Sequence, residues 1–289
     1  MKPSSLPAQI FVDSGFPEDT KKVIDLLGFL DGQTTNPSLV AKKLLANSKQ
    51  PIANSTLSEE ALLEKYKEIV HDISALIPQG SVSIEVYADK ETPAEKMIEQ
   101  ARVMNAWIPN AHIKLPTTTE GLKAAEMLVT EKIRVNMTLV FSQEQAAAVH
   151  AATRGAKEGD VFISPFIGRL DDRGENGMDL IKNIATMYKT ANSHVLILAA
   201  SLRTMNHFMG SISSGADILT CPLTIIEEWV QSGMHVPGED YQYDAGSLTR
   251  IPYVELDLTR KWQSFTIRHD LTDAGLQKFA DDWNGLIGK

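Results

Sequence analysis

The chain has 289 residues, 43% of them hydrophobic and 22% charged, with a formal net charge of −9. That length builds a full core in one large α/β unit or two small ones, and the acidic balance excludes a nucleic-acid partner, whose backbone needs a basic surface. The single cysteine, Cys221, excludes an internal disulfide and fits a reducing compartment, and no apolar run approaches the roughly 18 residues of a membrane span, so a cytoplasmic protein with no membrane partner is expected.

In chain order, short β-rich runs alternate with amphipathic stretches. QIFVDSG (9–15) precedes the helical pattern EDTKKVIDLL, and FLDGQTTN (29–36) follows it. Residues 37–80 are longer than one crossover needs, so an extra helix is expected there, the long one being SEEALLEKYKEIVHDISALI. SVSIEVYA (81–88) and AHIKLPTT (111–118) come next, then the helix TEGLKAAEMLV. IRVNMTLV (133–140), DVFISPFIG (160–168), SHVLILAASL (193–202) and DILTCPLT (217–224) complete eight runs, with helices such as SQEQAAAVHAAT and MDLIKNIATMYK between them. Strand–helix alternation implies a parallel sheet, and eight units imply a closed α/β barrel, a (β/α)8 TIM barrel. A doubly wound open sheet is the alternative, but no G-x-G-x-x-G or Walker sequence supports it. The tail VPGEDYQYDAGS reads as loop. TDAGLQKFADDWNGLIG reads as a C-terminal helix capped by Thr272, with apolar residues at 276, 279, 283 and 286. Residues 1–289 are therefore expected to form a single domain, the barrel over about 9–235 and an extension over about 236–289.

In such a barrel the chemistry sits at the C-terminal strand ends. There this chain carries Asp13, then Thr34, Thr35 and Asn36, then Glu85 and Lys114. Asn136 and Thr138 follow on the fifth strand, Ser164 and Arg169 on the sixth, and Ser201 and Arg203 on the seventh. Each has a bland explanation: Asp13 as a helix cap, Asn36 as a turn before Pro37, Thr138 packed by its methyl, Glu85 and Lys114 as an internal ion pair. Seven neighbouring ends with such groups are harder to reconcile with a structural barrel, which fills these layers with Val, Ile and Leu. Lys114, between Ile113 and Leu115, is the least comfortable, because burying an ammonium is costly. Such a lysine binds an anion or attacks a carbonyl; a desolvated amine forms a Schiff base, whose iminium lets the adjacent carbon–carbon bond break without a metal. No H-E-x-x-H or C-x-x-C occurs, so neither a metal nor a cofactor is expected. The acidic stretch DDRGENGMD (171–179) lacks EF-hand spacing and reads as a solvated loop. The sequons at Asn54 and Asn136 read as noise.

The ordered motifs FVDSG, TTNPSLV, SIEV, IKLPTT, NMTLVFS, ISPFIGRL and AASLR resemble those of the transaldolases, from residue 9 to about 225, and GLQKFADDWNGLI in the tail also looks similar. The resemblance implies a barrel with the Schiff-base lysine on the fourth strand. It implies transfer of a dihydroxyacetone unit between sugar phosphates, with Lys114 as nucleophile and Asp13 as acid–base group. Glu85 and Thr138 match the pair that holds a proton-shuttling water. Asn36, Asn136 and Ser164 match residues that hold substrate hydroxyls, and Arg169, Arg203 and Ser201 match the phosphate site; Thr34 and Phe166 join the expected substrate contacts. Fructose-6-phosphate aldolases of the same superfamily tend to have Gln, Tyr and Lys where this chain has Glu85, Phe166 and Arg203. Transaldolases of sulfonated sugars remain an alternative, as does a non-catalytic barrel that binds sugar phosphates. SIEVYADKETPAEKM departs from the usual transaldolase sequence after the glutamate, which reads as a subfamily difference. The resemblance leaves a homo-oligomer open.

Overall fold

The computed structural model describes residues 2–47 and 57–288, and in it eight parallel strands close into a barrel in sequence order, the first pairing with the last. The strands are β1 (Gln9–Asp13), β2 (Gly32–Thr34), β3 (Ser81–Glu85), β4 (Ala111–Pro116), β5 (Val135–Val140), β6 (Val161–Pro165), β7 (Leu196–Ala199) and β8 (Ile218–Cys221). All eight expected runs contain a strand, and the (β/α)8 architecture is as the alternation implied. The Asn54 sequon lies outside the described residues.

Helices cover the barrel. α1 (Pro17–Leu27) follows β1, and α2 (Pro37–Asn47) with α3 (Glu59–Leu76) fills the long β2–β3 crossover. α4 (Ala94–Asn105), α5 (Thr119–Thr130) and α6 (Gln143–Ala152) follow β3, β4 and β5. After β6 there are two, the short α7 (Ile167–Asp172) and α8 (Gly177–Ala191); α9 (Met205–Ser213) and α10 (Leu223–Gln231) follow β7 and β8. Their starts obey local chemistry. Ser58 caps α3 by accepting the Ala61 N–H, and Ser142 and Gln145 form a reciprocal capping box at α6. Among the described residues no helix is long and apolar enough to cross a membrane.

The chain ends in α11 (Asp270–Ile287), which packs on α2 and on the end of β5. Thr272 is not its cap. The helix begins two residues earlier, with His269 Nδ1 accepting the Leu271 N–H. Thr272 is buried instead; its hydroxyl donates to the Leu139 carbonyl at 2.8 Å and accepts from Gln145 Nε2 at 2.9 Å. Leu139 explains the difference. It has φ +61° at a register shift in β5, a bulge that swings its carbonyl out of the ladder and leaves it needing a donor. Gly275, one turn on, has no Cβ where one would lie 2.6 Å from Leu139 Cδ2 and 2.6 Å from an Arg169 nitrogen, so the helix can seat against both.

His112 shows how dry the other end of the barrel is. It stacks on Phe162 with ring centroids 4.0 Å apart, and its nitrogens pair with Ser81 Oγ at 2.7 Å and the Gly159 carbonyl at 3.0 Å. Burial, helped by the Arg134 charge, pushes its pKa down to about 3. The unfolded chain therefore takes up a proton that the folded chain refuses, and stability falls as pH drops from about 6.5 towards 3, by about 1.4 kcal/mol per pH unit. Urea unfolding of His112→Gln is expected to give a less stable protein at pH 7.5 whose stability is flatter with pH, so that the two curves converge towards pH 4. Parallel curves would show that His112 protonates freely in the fold.

Candidate active site

The register of the sheet builds the site. Glu85 pairs with Lys114 across β3–β4, and Lys114 pairs with Asn136 across β4–β5, so the three lie in one layer of the barrel. Lys114 is 3% exposed and Glu85 4%. Lys114 Nζ lies 3.0 Å from Glu85 Oε2 and 3.3 Å from the Thr35 carbonyl, to which it donates. The contact with Glu85 is an ion pair rather than an aligned hydrogen bond: Oε2 accepts no well-directed donor. The Phe279 ring of α11 lies 5.8 Å from the ammonium. Burial pushes the Glu85 carboxyl up, and the Lys114 charge opposes the rise.

Asp13 ends β1 and caps nothing. The cap of α1 is Phe16, and Asp13 Oδ1 accepts from Thr34 Oγ1 at 2.7 Å. Thr34 has a single hydrogen, so its contact with Thr220 Oγ1 at 2.6 Å makes Thr220 the donor in a chain Thr220→Thr34→Asp13. Burial raises the Asp13 pKa, against lowering by Lys114 and by the Thr34 hydrogen bond. Asn36 takes the bland role and more: Oδ1 accepts the Leu39 N–H at the start of α2, and the residue also lines the cavity.

Asn136 Nδ2 donates to Ser83 Oγ at 3.1 Å, and Ser164 Oγ donates to Asn136 Oδ1 at 2.7 Å. Thr138, two residues further along β5, is fully buried, and its Oγ1 has no hydrogen-bond partner. The threonine thus does not merely pack by its methyl; a buried hydroxyl and Glu85 Oε2 both retain hydrogen-bonding capacity.

The outer end is cationic. Arg169 lies in α7, just past β6, with its guanidinium 5.3 Å from the Phe166 ring and 5.7 Å from the Phe279 ring. Ser201 stands in the left-handed region at φ +59°, and Gly168 lets this turn approach: a Cβ there would lie 2.4 Å from the Ser201 carbonyl oxygen. Arg203 follows, paired through both terminal nitrogens with Asp172, one of these bonds measuring 2.7 Å. Its N–H donates to His207 Nδ1 at 3.2 Å, and His207 Nε2 lies 2.8 Å from Asp171. The acidic stretch 171–179 is therefore not simply a solvated loop. Asp171 and Asp172 end α7 and face the arginine turn.

A cavity of about 290 Å3 joins these groups, with Asp13, Thr34, Asn36 and Lys114 at its inner end and Ser164, Phe166, Arg169, Ser201 and Arg203 along it. Glu85, Asn136 and Thr138 are not on its wall; they are buried beside it. Sequence reading missed Thr220, Thr35 as the acceptor for Lys114, Asp172, and Phe279. Thr220, a polar residue in an apolar eighth run, could have been found by position; Phe279 carries no signal beyond helical periodicity. Among the described residues no group of three or more His, Cys, Asp and Glu could hold a metal. The arrangement gathers a buried amine, two carboxyl groups and two guanidinium groups in and beside one cavity.

The chain matches the family described as transaldolase/fructose-6-phosphate aldolase over residues 10–289. It is 34% identical to a protein of Dehalococcoides mccartyi over 278 residues, covering 96% of this chain and 99% of that one, and 36% identical to one of Brucella ovis over 275 residues, covering 95% and 96%. A Roseiflexus protein is 33% identical over 275 residues, with 95% and 96% covered; all three are named probable transaldolase. The match takes in β1 to β8 and α11 alike, and the chain belongs to the transaldolase/fructose-6-phosphate aldolase family of enzymes.

Proposed function

We propose that the protein is a transaldolase, moving a dihydroxyacetone unit from a ketose phosphate such as fructose 6-phosphate or sedoheptulose 7-phosphate to an aldose phosphate such as erythrose 4-phosphate or glyceraldehyde 3-phosphate. The observation that carries the reading is Lys114, an amine buried against Glu85 at the inner end of a cavity with two arginines along it. A sugar phosphate fits that polarity, carbonyl inward and phosphate outward.

The amine of Lys114 adds to the ketose carbonyl, and loss of water leaves an iminium. Asp13 takes the proton of the C4 hydroxyl, the C3–C4 bond breaks, and its electrons pass into the iminium to give an enamine. The aldose phosphate departs. Addition of the enamine to a second aldehyde, with Asp13 returning its proton, completes transfer, and water then releases the product from Lys114. Glu85 and Thr138 hold the water that carries protons to and from the nitrogen. Asn136 and Ser164 hold hydroxyls of the bound fragment, with Thr34 and Asn36 on the opposite side. Arg169, Arg203 and Ser201 hold the phosphate, and Phe166 supports Arg169. The relatives' shared name supports transfer, as do Glu85, Phe166 and Arg203, each differing from the aldolase pattern.

Borohydride reduction with fructose 6-phosphate present is expected to add one three-carbon unit to Lys114, and transfer to erythrose 4-phosphate to outpace addition of free dihydroxyacetone to glyceraldehyde 3-phosphate. A label on another lysine, or the reverse order of rates, sinks the reading. Asp13→Asn is expected to lower turnover by about 10²–10⁴-fold. Its stability at pH 7 should be unchanged or higher. The folded pKa of Asp13 is raised, so the ionised carboxylate destabilises the fold at pH values above it, and asparagine has no charge to bury. A less stable, fully active Asn variant would make Asp13 structural. Arg203→Ala should weaken phosphorylated substrates by about 1.5–3 kcal/mol, as expected for hydrogen bonds to a charged group, and leave unphosphorylated fructose nearly unaffected. Equal losses for the two would assign Arg203 to the fold alone.

A further inference from the structure

The hydrogen bonds between β2 and β3 break off one step early. Thr34 pairs with Ser83, and the Thr35 N–H donates to the Ser83 carbonyl at 3.2 Å, as a parallel ladder requires. The next bond in that ladder would run from the Glu85 N–H to the Thr35 carbonyl. It is not made. The Glu85 N–H donates instead to the phenol oxygen of Tyr66 at 2.9 Å, and the Thr35 carbonyl accepts from Lys114 Nζ at 3.3 Å.

The proton directions are determined by the neighbours. Thr35 Oγ1 gives its hydrogen to the Ser83 carbonyl at 2.8 Å, so at its 2.5 Å contact with Tyr66 it is the acceptor and the phenol is the donor. Tyr66 therefore accepts from Glu85 and donates to Thr35. It is fully buried on α3, outside the barrel, with its ring edge-on to Trp107 at 5.9 Å and Trp283 at 6.1 Å. Nothing in this arrangement touches the cavity directly.

We propose that Tyr66 is a positioning residue for the reaction: its hydroxyl stands in for a strand carbonyl, and so releases the Thr35 carbonyl to hold the Lys114 amine. The carbonyl and Glu85 Oε2 approach the same nitrogen, and one phenol fixes the backbone behind both. Without the hydroxyl, the Glu85 N–H is left buried and unpaired, and its nearest repair is the ladder bond to Thr35. That repair takes from Lys114 the acceptor that aims its free electron pair. The proposal rests on Lys114 being the nucleophile.

The test is Tyr66→Phe, followed by rapid-quench borohydride trapping in a single turnover with fructose 6-phosphate. The variant is expected to form the trapped Lys114 adduct at least tenfold more slowly than wild type, with kcat reduced to match and KM within about twofold, since the arginine end is untouched. 4-Methylphenylalanine at position 66, which fills the space of the hydroxyl without accepting a hydrogen bond, should be equally slow and serves if the phenylalanine variant does not fold. 4-Aminophenylalanine, which can both accept and donate, should recover most of the rate. Wild-type trapping rates in a folded phenylalanine or methylphenylalanine variant would overturn the proposal while leaving Lys114 as nucleophile. Failure of wild type to trap at Lys114 would instead overturn the reading on which it rests. A variant that loses only thermal stability, with kcat intact, would make the phenol a structural residue.

Discussion

Everything at the mouth of this barrel answers to one constraint, the burial of Lys114 beside Glu85. Two opposite charges removed from water recover their desolvation cost only with good geometry and further hydrogen bonds. Here the recovery is incomplete by construction. The ammonium has one carbonyl, one carboxylate oxygen without good alignment and the face of a phenyl ring. Burial raises the Glu85 pKa, and the Lys114 charge opposes the rise only in part. Poor satisfaction at this spot costs stability.

The second requirement is to keep two guanidinium groups near each other. Arg169 lies against Phe166 and Phe279, whose ring faces take part of its charge, and Arg203 is neutralised by Asp172. Burial and the Arg203 charge both lower the Arg169 pKa, yet a guanidinium remains charged in any protein. Each guanidinium of the cluster thus has a protein partner of its own. The exposed ion pair of Arg203 and Asp172 is worth little in water.

Short β-rich runs and their alternation with helices made the eight strands legible, because parallel strands covered on both faces must be apolar and short. Polar residues inside such runs exposed the inner shell: Lys114, Glu85 and Asn136 stand out against Ile113, Leu115, Val135 and Met137. What stayed hidden depends on contacts distant in sequence. Phe279 sits 165 positions after Lys114 and looks like any apolar helix residue, and Thr272 looks like a cap until the bulge at Leu139 supplies a carbonyl for it. Asp172 was legible as a charge but not as a partner, since only the turn after β7 brings Arg203 back to it. The role of Thr35 lies in its carbonyl, which every residue possesses and no side-chain pattern reports.

The position of α11 has a consequence in the time order of synthesis. β8 ends at Cys221 and α11 begins at Asp270, so the eight strands leave the ribosome well before the helix that carries Phe279. At roughly 5–20 residues per second, the interval lasts several seconds. A nascent barrel that closes in that time already has its lysine and both carboxyl groups but lacks the ring that later lies 5.8 Å from the ammonium. For those seconds the buried ion pair lacks part of its cover, and the arrival of the last helix is what brings that ring to it.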